Sequence, residues 1–510
     1  MAEFKQKEKL KNWAKENWIL IAILLLAIAI RLYFFIDVGN VPLWWDEAEY
    51  MSAAKHWAFG VPYELNPQRP PLFQLASAGI FSLVSMFPNA VTVEFCEQEI
   101  RAALVLVPSI LLVFLIFWLG KEMFDKKTGL IAAFLAAVSW TFLFWTTRIQ
   151  PDLMTMCFQV LAIIAMWKFW KTGNNKFASS SAAFLAIAFY FKSSALILLP
   201  IFFVFALLKD RLSVFKTKGY WFFIGFFILA MVPYFIWSFV TFGTPIGFVT
   251  GYSGAVEANL PIGWYVLGFF QSLTEGILFI LFIAGVILSL KFIFGLDLML
   301  KDKNRCLDAD FAKLFSIIAL VLISVFYIFY IRGAEDRWVF LWMPFIFFMI
   351  ANAIKWIYKM TIRNNKKAIA IAIVIGILLF SGYAQLNHAN SIIESKKDSY
   401  SQVKDAAVWM KSISPANAKI LSISYTQTVY YSERNVSTYS GIKSAAEFEE
   451  YLNATRPDLL VVSVFEPHPQ WIYDYVQQNN QTFRPINAYF MDAAQTQLAL
   501  VIYGVNNDRI

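Results

Sequence analysis

The chain is 510 residues long, 59% hydrophobic and 18% aromatic, and only 15% of it is charged. Soluble domains carry about 25% charged residues, so the composition excludes an ordinary soluble protein and indicates a polytopic membrane protein. The net charge of +8 does not indicate a nucleic-acid partner, because the basic residues gather in short loops between apolar segments, as the positive-inside rule expects.

Apolar segments lie near 17–36, 71–87, 100–120, 129–147, 153–170, 177–190, 194–208, 220–242, 264–290, 313–331, 337–357 and 368–386. The first, Trp18–Ile36, is long enough to cross a bilayer and lacks a small-residue cleavage site, so it reads as a retained signal-anchor. Lys5, Lys7, Lys9, Lys11 and Lys15 put the N-terminus in the cytoplasm. The loops holding Lys121/Lys126/Lys127, Lys171/Lys176, Lys209/Arg211/Lys216/Lys218, Lys301/Lys303/Arg305 and Arg363/Lys366/Lys367 belong on the same side. They agree only if 71–87 does not cross. Short and opened by two prolines, that segment reads as a helix lying at the outer surface. The expectation is eleven crossings with the C-terminus outside. Residues 1–386 then form a membrane domain whose first outer loop, 37–99, carries two interfacial helices. The cysteines Cys96, Cys157 and Cys306 are too scattered for a disulfide framework or a CxxC metal site.

The charged residues at the outer membrane face carry the chemistry. Trp44-Trp45-Asp46-Glu47 begins a helix predicted to run to about Ala58, with the tryptophans as headgroup-level anchors. Asp46 and Tyr50 share a helical face, and Glu47 lies about 100° away. One carboxylate could accept the proton of an attacking hydroxyl, and the second could assist it or bind a divalent cation. The alternative is a helix N-cap. Arg69-Pro70-Pro71-Leu72 opens the next interfacial helix and makes an anion site, or a snorkelling arginine. In Arg148-Ile-Gln-Pro-Asp152, Asp152 is a second acid and Arg148 its candidate partner. Arg101, Lys192 and the cluster Arg332, Glu335, Asp336 and Arg337 add charge at the same depth. A phosphate leaving group needs such neutralisation, though Arg337 could equally pair with Glu335 or Asp336.

From about Asn387 apolar runs shorten and polar residues rise. Lys419–Thr426, Asp458–Phe465 and Gln497–Val505 read as strands. Ser401–Ile413, Ser444–Ala454 and Gln470–Asn479 read as amphipathic helices. The alternation predicts a small exterior α/β domain over 387–510. The N-x-S/T sequons at Asn435, Asn453 and Asn480 fall in it. Arg434 stands there without an evident partner.

In order along the chain, Asp46-Glu47, Arg69-Pro70-Pro71-Leu72, Arg101, Arg148-x-x-x-Asp152 and Lys192 resemble the integral-membrane glycosyltransferases of GT-C fold. The pattern is most similar to the protein O-mannosyltransferases and the bacterial aminoarabinose transferases that modify lipid A. The resemblance covers residues 15–210 well and is loose from there to about 386. It implies a polyprenyl-phosphate-sugar donor and inversion at the anomeric carbon. It makes Asp46 the base or acceptor-orienting acid, Glu47 and Asp152 supporting acids, and Arg69, Lys192 and Arg337 phosphate contacts. The loop 243–263 is too short for the large lumenal insert of the mannosyltransferases, so the acceptor stays open among lipid, glycan and protein. No His/Glu metal pair can be matched, so metal dependence is open too.

The rival readings are a lipid-linked-sugar transporter or flippase and a non-catalytic scaffold of the same fold. Transporters show inverted repeats and midplane charges, which this sequence lacks, and a scaffold need not keep Asp46 and Arg69. A bacterial or archaeal plasma membrane is the expected location, since no eukaryotic targeting or retention signal is evident.

Overall fold

A computed structural model describes residues 12, 14–87, 95–250, 263, 268–291, 309–331, 335–363 and 366–509. Arg332, Cys306 and the loop at 301–305 lie outside the described residues. The longer helices are α1 (Trp18–Val38), α2 (Trp45–Phe59), α3 (Leu72–Ser85), α4 (Glu97–Met123), α5 (Lys126–Val138), α6 (Trp140–Thr146) and α7 (Asp152–Thr172). They continue with α8 (Asn175–Phe191), α9 (Leu198–Asp210), α10 (Lys218–Phe242), α11 (Gly276–Ser289), α12 (Ala309–Val325), α13 (Trp342–Ile362) and α14 (Lys367–Lys396).

Every predicted apolar segment contains a helix, but not all are of spanning length. Among the described residues, 7 helices are long and apolar enough to cross a membrane, or up to 8 if the bent pair α5 and α6 counts as one span. The remaining expected crossings are shorter: α8 has 17 residues, α9 has 13 and α11 has 14. Irregular turns extend two of them. A 3-10 turn, Ser193–Ile197, leads into α9, and α11 follows a break at Glu275, whose φ is 54°. The predicted interfacial helix at 71–87 is α3, 14 residues long.

Two compact units make up the chain. The first is Met1–Gly39, Asn66–Phe73 and Gln98–Glu394. Within it, α5 and α6 meet at a break, bent by 51°, at Ser139. A break strands helix-end carbonyls in apolar surroundings. Arg31, fully buried on α1, donates to Ala137 O at 2.9 Å, to Ala136 O at 3.1 Å and to Ser109 Oγ at 2.7 Å. On the other side of the break, Gln385 of α14 accepts from the Trp140 backbone N–H at 3.0 Å and donates to Thr274 O at 3.1 Å. Helix packing is tight elsewhere: a Cβ added at Gly285 of α11 would overlap the Met349 carbonyl of α13.

The second unit is Asn40–Leu65, Gln74–Glu97 and Ser395–Ile510. It adds α15 (Ser401–Ile413), β1 (Lys419–Ser422), α16 (Tyr425–Ser432), β2 (Asn435–Ser437) and α17 (Ala445–Thr455). Then come β3 (Leu459–Ser463), α18 (Trp471–Gln478), β4 (Phe483–Phe490) and β5 (Leu498–Val505). The sheet order is β2-β1-β3-β5-β4, parallel across the first three strands and antiparallel beyond. Leu421, Leu460, Val462, Phe448, Ile472 and Phe483 form its core.

The predicted strand Lys419–Thr426 is corrected here. The strand ends at Ser422, and Thr426 belongs to α16. Its β-branched residues are satisfied locally instead: the Thr428 hydroxyl donates to Ser424 O at 2.8 Å, and Tyr430 and Tyr431 are buried. Burial and side-chain capping override strand propensity. The edge strands β2 and β4 were not expected. β2 has three residues, and β4 carries Pro485 beside a register shift, a position Pro tolerates only on an edge. Arg434 does have partners. It donates to Lys411 O at 2.7 Å and Ser414 O at 2.8 Å, capping α15. All three sequon asparagines are exposed.

Candidate functional site

In the first unit a small cleft, of about 20 Å³, is lined by Asp152, Thr155, Gln159, Lys192, Ser194 and Arg337, with an apolar wall that includes Tyr327 and Trp338. Pro151 ends the preceding turn, so Asp152 is the first residue of α7. There a carboxylate faces free N–H groups and the positive end of the helix. Lys192 closes α8 in an extended conformation that ends the helix. Its ammonium meets Asp152 Oδ1 at 2.6 Å, with the two side chains 16% and 5% exposed. The sequence offered Arg148 as the partner of Asp152; the ion pair found is with Lys192. Asp152 Oδ2 is buried and has no hydrogen-bond partner.

Arg337 comes from the short 3-10 helix Asp336–Val339 that leads into α13. Its Nε donates to Glu335 Oε2 at 2.8 Å, the pairing the sequence allowed. Its guanidinium lies 5.0 Å from the centre of the Trp145 ring. Trp145 Nε1 in turn donates to Asp336 Oδ2 at 2.7 Å. Burial pushes the Asp336 carboxyl up to about 6, although the Trp145 hydrogen bond and Arg337 both favour its ionised form.

The other predicted cations are placed differently. Arg101, 1% exposed, donates to Thr147 O at 3.2 Å and to Gly39 O, with Phe35 4.9 Å beneath its guanidinium. It clamps backbone carbonyls and does not line the cleft. Arg148 is also fully buried and outside the cleft lining. Arg69 is half-buried in the turn Asn66–Arg69, followed by the buried prolines Pro70 and Pro71.

The acidic pair lies in the second unit. α2 starts at Trp45, with Trp44 as its N-cap, so Asp46 sits in the first turn and is half-exposed. The cap function predicted for Asp46 falls instead to Glu47, whose Oε2 accepts the Trp44 backbone N–H at 2.6 Å and which is 1% exposed. Tyr50, one turn on, is 1% exposed. Five residues farther on, Lys55 is fully buried. It donates to Glu433 Oε1 at 2.6 Å and Tyr430 O at 3.1 Å, and lies 4.1 Å from the Tyr430 ring centre. Glu433 also takes Lys411 at 2.8 Å. Burial lowers the Lys55 ammonium below its ordinary range, against the pull of Glu433. The backbone N–H of Leu43 donates to the Tyr431 hydroxyl at 3.0 Å. The helix carrying Asp46 is therefore anchored on α16.

Of the predicted site residues, Asp152, Lys192 and Arg337 share one cleft, and Glu335 and Asp336 neighbour Arg337. Thr155, Gln159 and Ser194 line the same cleft and were missed. A signal for two of them existed: Thr155 and Gln159 are polar positions in an otherwise apolar stretch, at three and seven residues from Asp152. Among the described residues no three His, Cys, Asp or Glu side chains gather into a metal-binding group. A cation on Asp46 and Glu47 fits poorly, because the Glu47 carboxylate is buried against backbone.

Residues 69–237 match the family model for dolichyl-phosphate-mannose-protein mannosyltransferases. That stretch begins at Arg69 and holds Arg101, Arg148, Asp152 and Lys192. No curated protein matches the chain by sequence. Among solved structures, ArnT from Cupriavidus metallidurans is similar with a TM-score of 0.66 at 10% identity, covering 97% of this chain and 99% of that one. The oligosaccharyltransferase AglB from Archaeoglobus fulgidus, in complex with an inhibitory peptide and a dolichol-phosphate, gives 0.63 at 13% identity, covering 97% and 75%. Arabinofuranosyltransferase AftD from Mycobacteria gives 0.56 at 12% identity, with 95% of this chain but 40% of that chain covered. The chain has the GT-C fold, the architecture of integral-membrane glycosyltransferases.

Proposed function

We propose that the protein transfers a sugar from a polyprenyl-phosphate-linked donor to a hydroxyl of a lipid, glycan or protein acceptor, at the outer face of a plasma membrane and with inversion at the anomeric carbon. The observation that carries this reading is the cleft in which Lys192, paired with Asp152, and Arg337 present positive charge at the end of a membrane span. An ammonium has three N–H donors, so Lys192 can hold Asp152 and still turn donors towards a phosphate. Solved structures of AglB with dolichol-phosphate and of ArnT with undecaprenyl phosphate support a lipid carrier of this class.

The reaction is a single displacement. The acceptor oxygen attacks the anomeric carbon as the bond from that carbon to the phosphate oxygen breaks, and the phosphate leaves with the electron pair. The acceptor proton passes to a carboxylate, a role given to Asp46. Cations at the leaving group stabilise the charge that develops there, the role of Lys192, Arg337 and Arg69. Asp152 orients Lys192, and Glu47 keeps the first turn of α2 in place.

The test is transfer of radiolabelled sugar from polyprenyl-phosphate donors to a membrane extract by purified protein. Wild type should transfer label, and Asp46→Asn should lose about 10²–10⁴-fold, the usual contribution of a general base. Full activity in Asp46→Asn would move the base role to another carboxylate. No transfer by wild type from any donor would sink the reading.

A further inference from the structure

Lys192 is the residue after α8, so whatever fixes the last turn of α8 also fixes where its ammonium starts. That turn ends in three aromatic residues in a row, Phe189, Tyr190 and Phe191. Phe191 stacks on Phe158 of α7, with ring centres 5.8 Å apart at 14°. Phe189, fully buried, meets the Tyr234 ring of α10 edge-on at 4.8 Å. Tyr190 makes a contact of another kind. Its hydroxyl donates to Ala230 O at 2.9 Å and accepts the Tyr234 N–H at 3.0 Å. In an unbroken helix those two backbone groups, four residues apart, bond to each other.

The cause stands one residue before Tyr234, where Pro233 lies inside α10. Proline has no N–H for the Leu229 carbonyl, and its ring crowds that carbonyl, which opens a helix at this point. A side chain set into the ladder is a second recognised cause of a bend. In hydrocarbon a freed N–H and C=O must find partners inside the protein, and one hydroxyl can serve both. The direction of α10 beyond Pro233, residues 234–242, is therefore tied to the end of α8. That stretch leads to another candidate phosphate cation. The Ser238 hydroxyl donates to Thr244 O at 2.7 Å and accepts the Gly247 N–H at 3.1 Å, which folds the chain back over the end of α10. Gly247 packs so closely on Pro67 that an added Cβ would come within 3.3 Å of the Pro67 Cβ. Pro67 belongs to the turn Asn66–Arg69.

We infer that Tyr190 is a positioning residue: its hydroxyl, set into α10 at Pro233, fixes the spacing between Lys192 at the end of α8 and Arg69 beyond the end of α10. The role of the two cations rests on the transferase reading; the latch between the helices does not. The probe is a short-chain polyprenyl phosphate titrated into the protein in nanodiscs. Tyr190→Phe keeps the ring and removes the hydroxyl, and should weaken binding about tenfold. Pro233→Ala gives Leu229 O its donor back and straightens α10. It should weaken binding too, while the melting temperature holds or rises. A residue that only supported the fold would not separate affinity from stability in this way. In the background Lys192→Met with Asp152→Asn, Tyr190→Phe should weaken binding no further, because no pair of cations is left to space.

Wild-type affinity in Tyr190→Phe or in Pro233→Ala would overturn the inference. So would a loss in Tyr190→Phe that persists at the same size in the Lys192→Met, Asp152→Asn background. If wild type binds no polyprenyl phosphate, the transferase reading falls and melting curves decide the latch. The coupling between Lys192 and Asp152, taken from their single and double variants, should then shrink when Tyr190→Phe is added. An unchanged coupling would overturn the positioning role.

Discussion

Asp336 releases its proton at a higher pH than an ordinary aspartate. Its carboxyl sits near 6 in the fold against an ordinary 3.8. Between those values the folded chain keeps a proton that the unfolded chain gives up, so stability falls as pH rises through that window and levels off above it. Melting temperature in detergent should therefore drop between about pH 4 and pH 6, and Asp336→Asn should flatten that slope. Lys192 predicts an effect of a different kind. Lys192→Met leaves Asp152 buried beside no counter-charge, which costs about 3–5 kcal/mol. The double variant with Asp152→Asn should regain most of that stability but none of the transfer. Asp152, Lys192 and Arg337 were legible in the sequence because charge is scarce between apolar segments. Thr155 and Gln159 were passed over, although each is a polar position in an otherwise apolar stretch.

At the scale of elements, the break between α5 and α6 shows where sequence reading reaches its limit. The 129–147 segment reads as one continuous crossing, and nothing local marks Ser139 as a stop. The break is tolerated because Arg31 and Gln385, distant in sequence, take up the exposed backbone groups. Arg31→Leu should cost about 2–4 kcal/mol, since two carbonyls and a hydroxyl lose their donor, read as a lower melting temperature in detergent. Gln385→Leu should act in the same direction and less strongly. The helices α15, α17 and α18 were legible from their amphipathic periodicity, nearly to the residue. α16 was not: the expected strand ran on to Thr426, whereas Tyr425–Ser432 is helical with Tyr430 and Tyr431 buried.

At the scale of the molecule, the second unit is assembled from three separate stretches of chain. The acidic pair and α2 were legible; the residues that anchor α2 were not, because Lys55 and Glu433 lie 378 positions apart. Glu433→Gln should cost about 3–5 kcal/mol by leaving the Lys55 ammonium buried and uncompensated. Lys55→Met combined with Glu433→Gln should recover stability, which differential scanning fluorimetry would read.

That separation sets a clock during biosynthesis. A ribosome adds about 5–20 residues per second, so α2 waits on the order of 20–75 seconds for the residues that will neutralise Lys55. Over that interval Lys55 has no Glu433 to meet, and the buried face of α2 has no α16 to rest on. Nascent chains stalled before Glu433 should accordingly be cut by protease within 40–65, whereas released full-length chains should resist. The last hundred residues thus complete, long afterwards, a piece of structure begun near the start of translation.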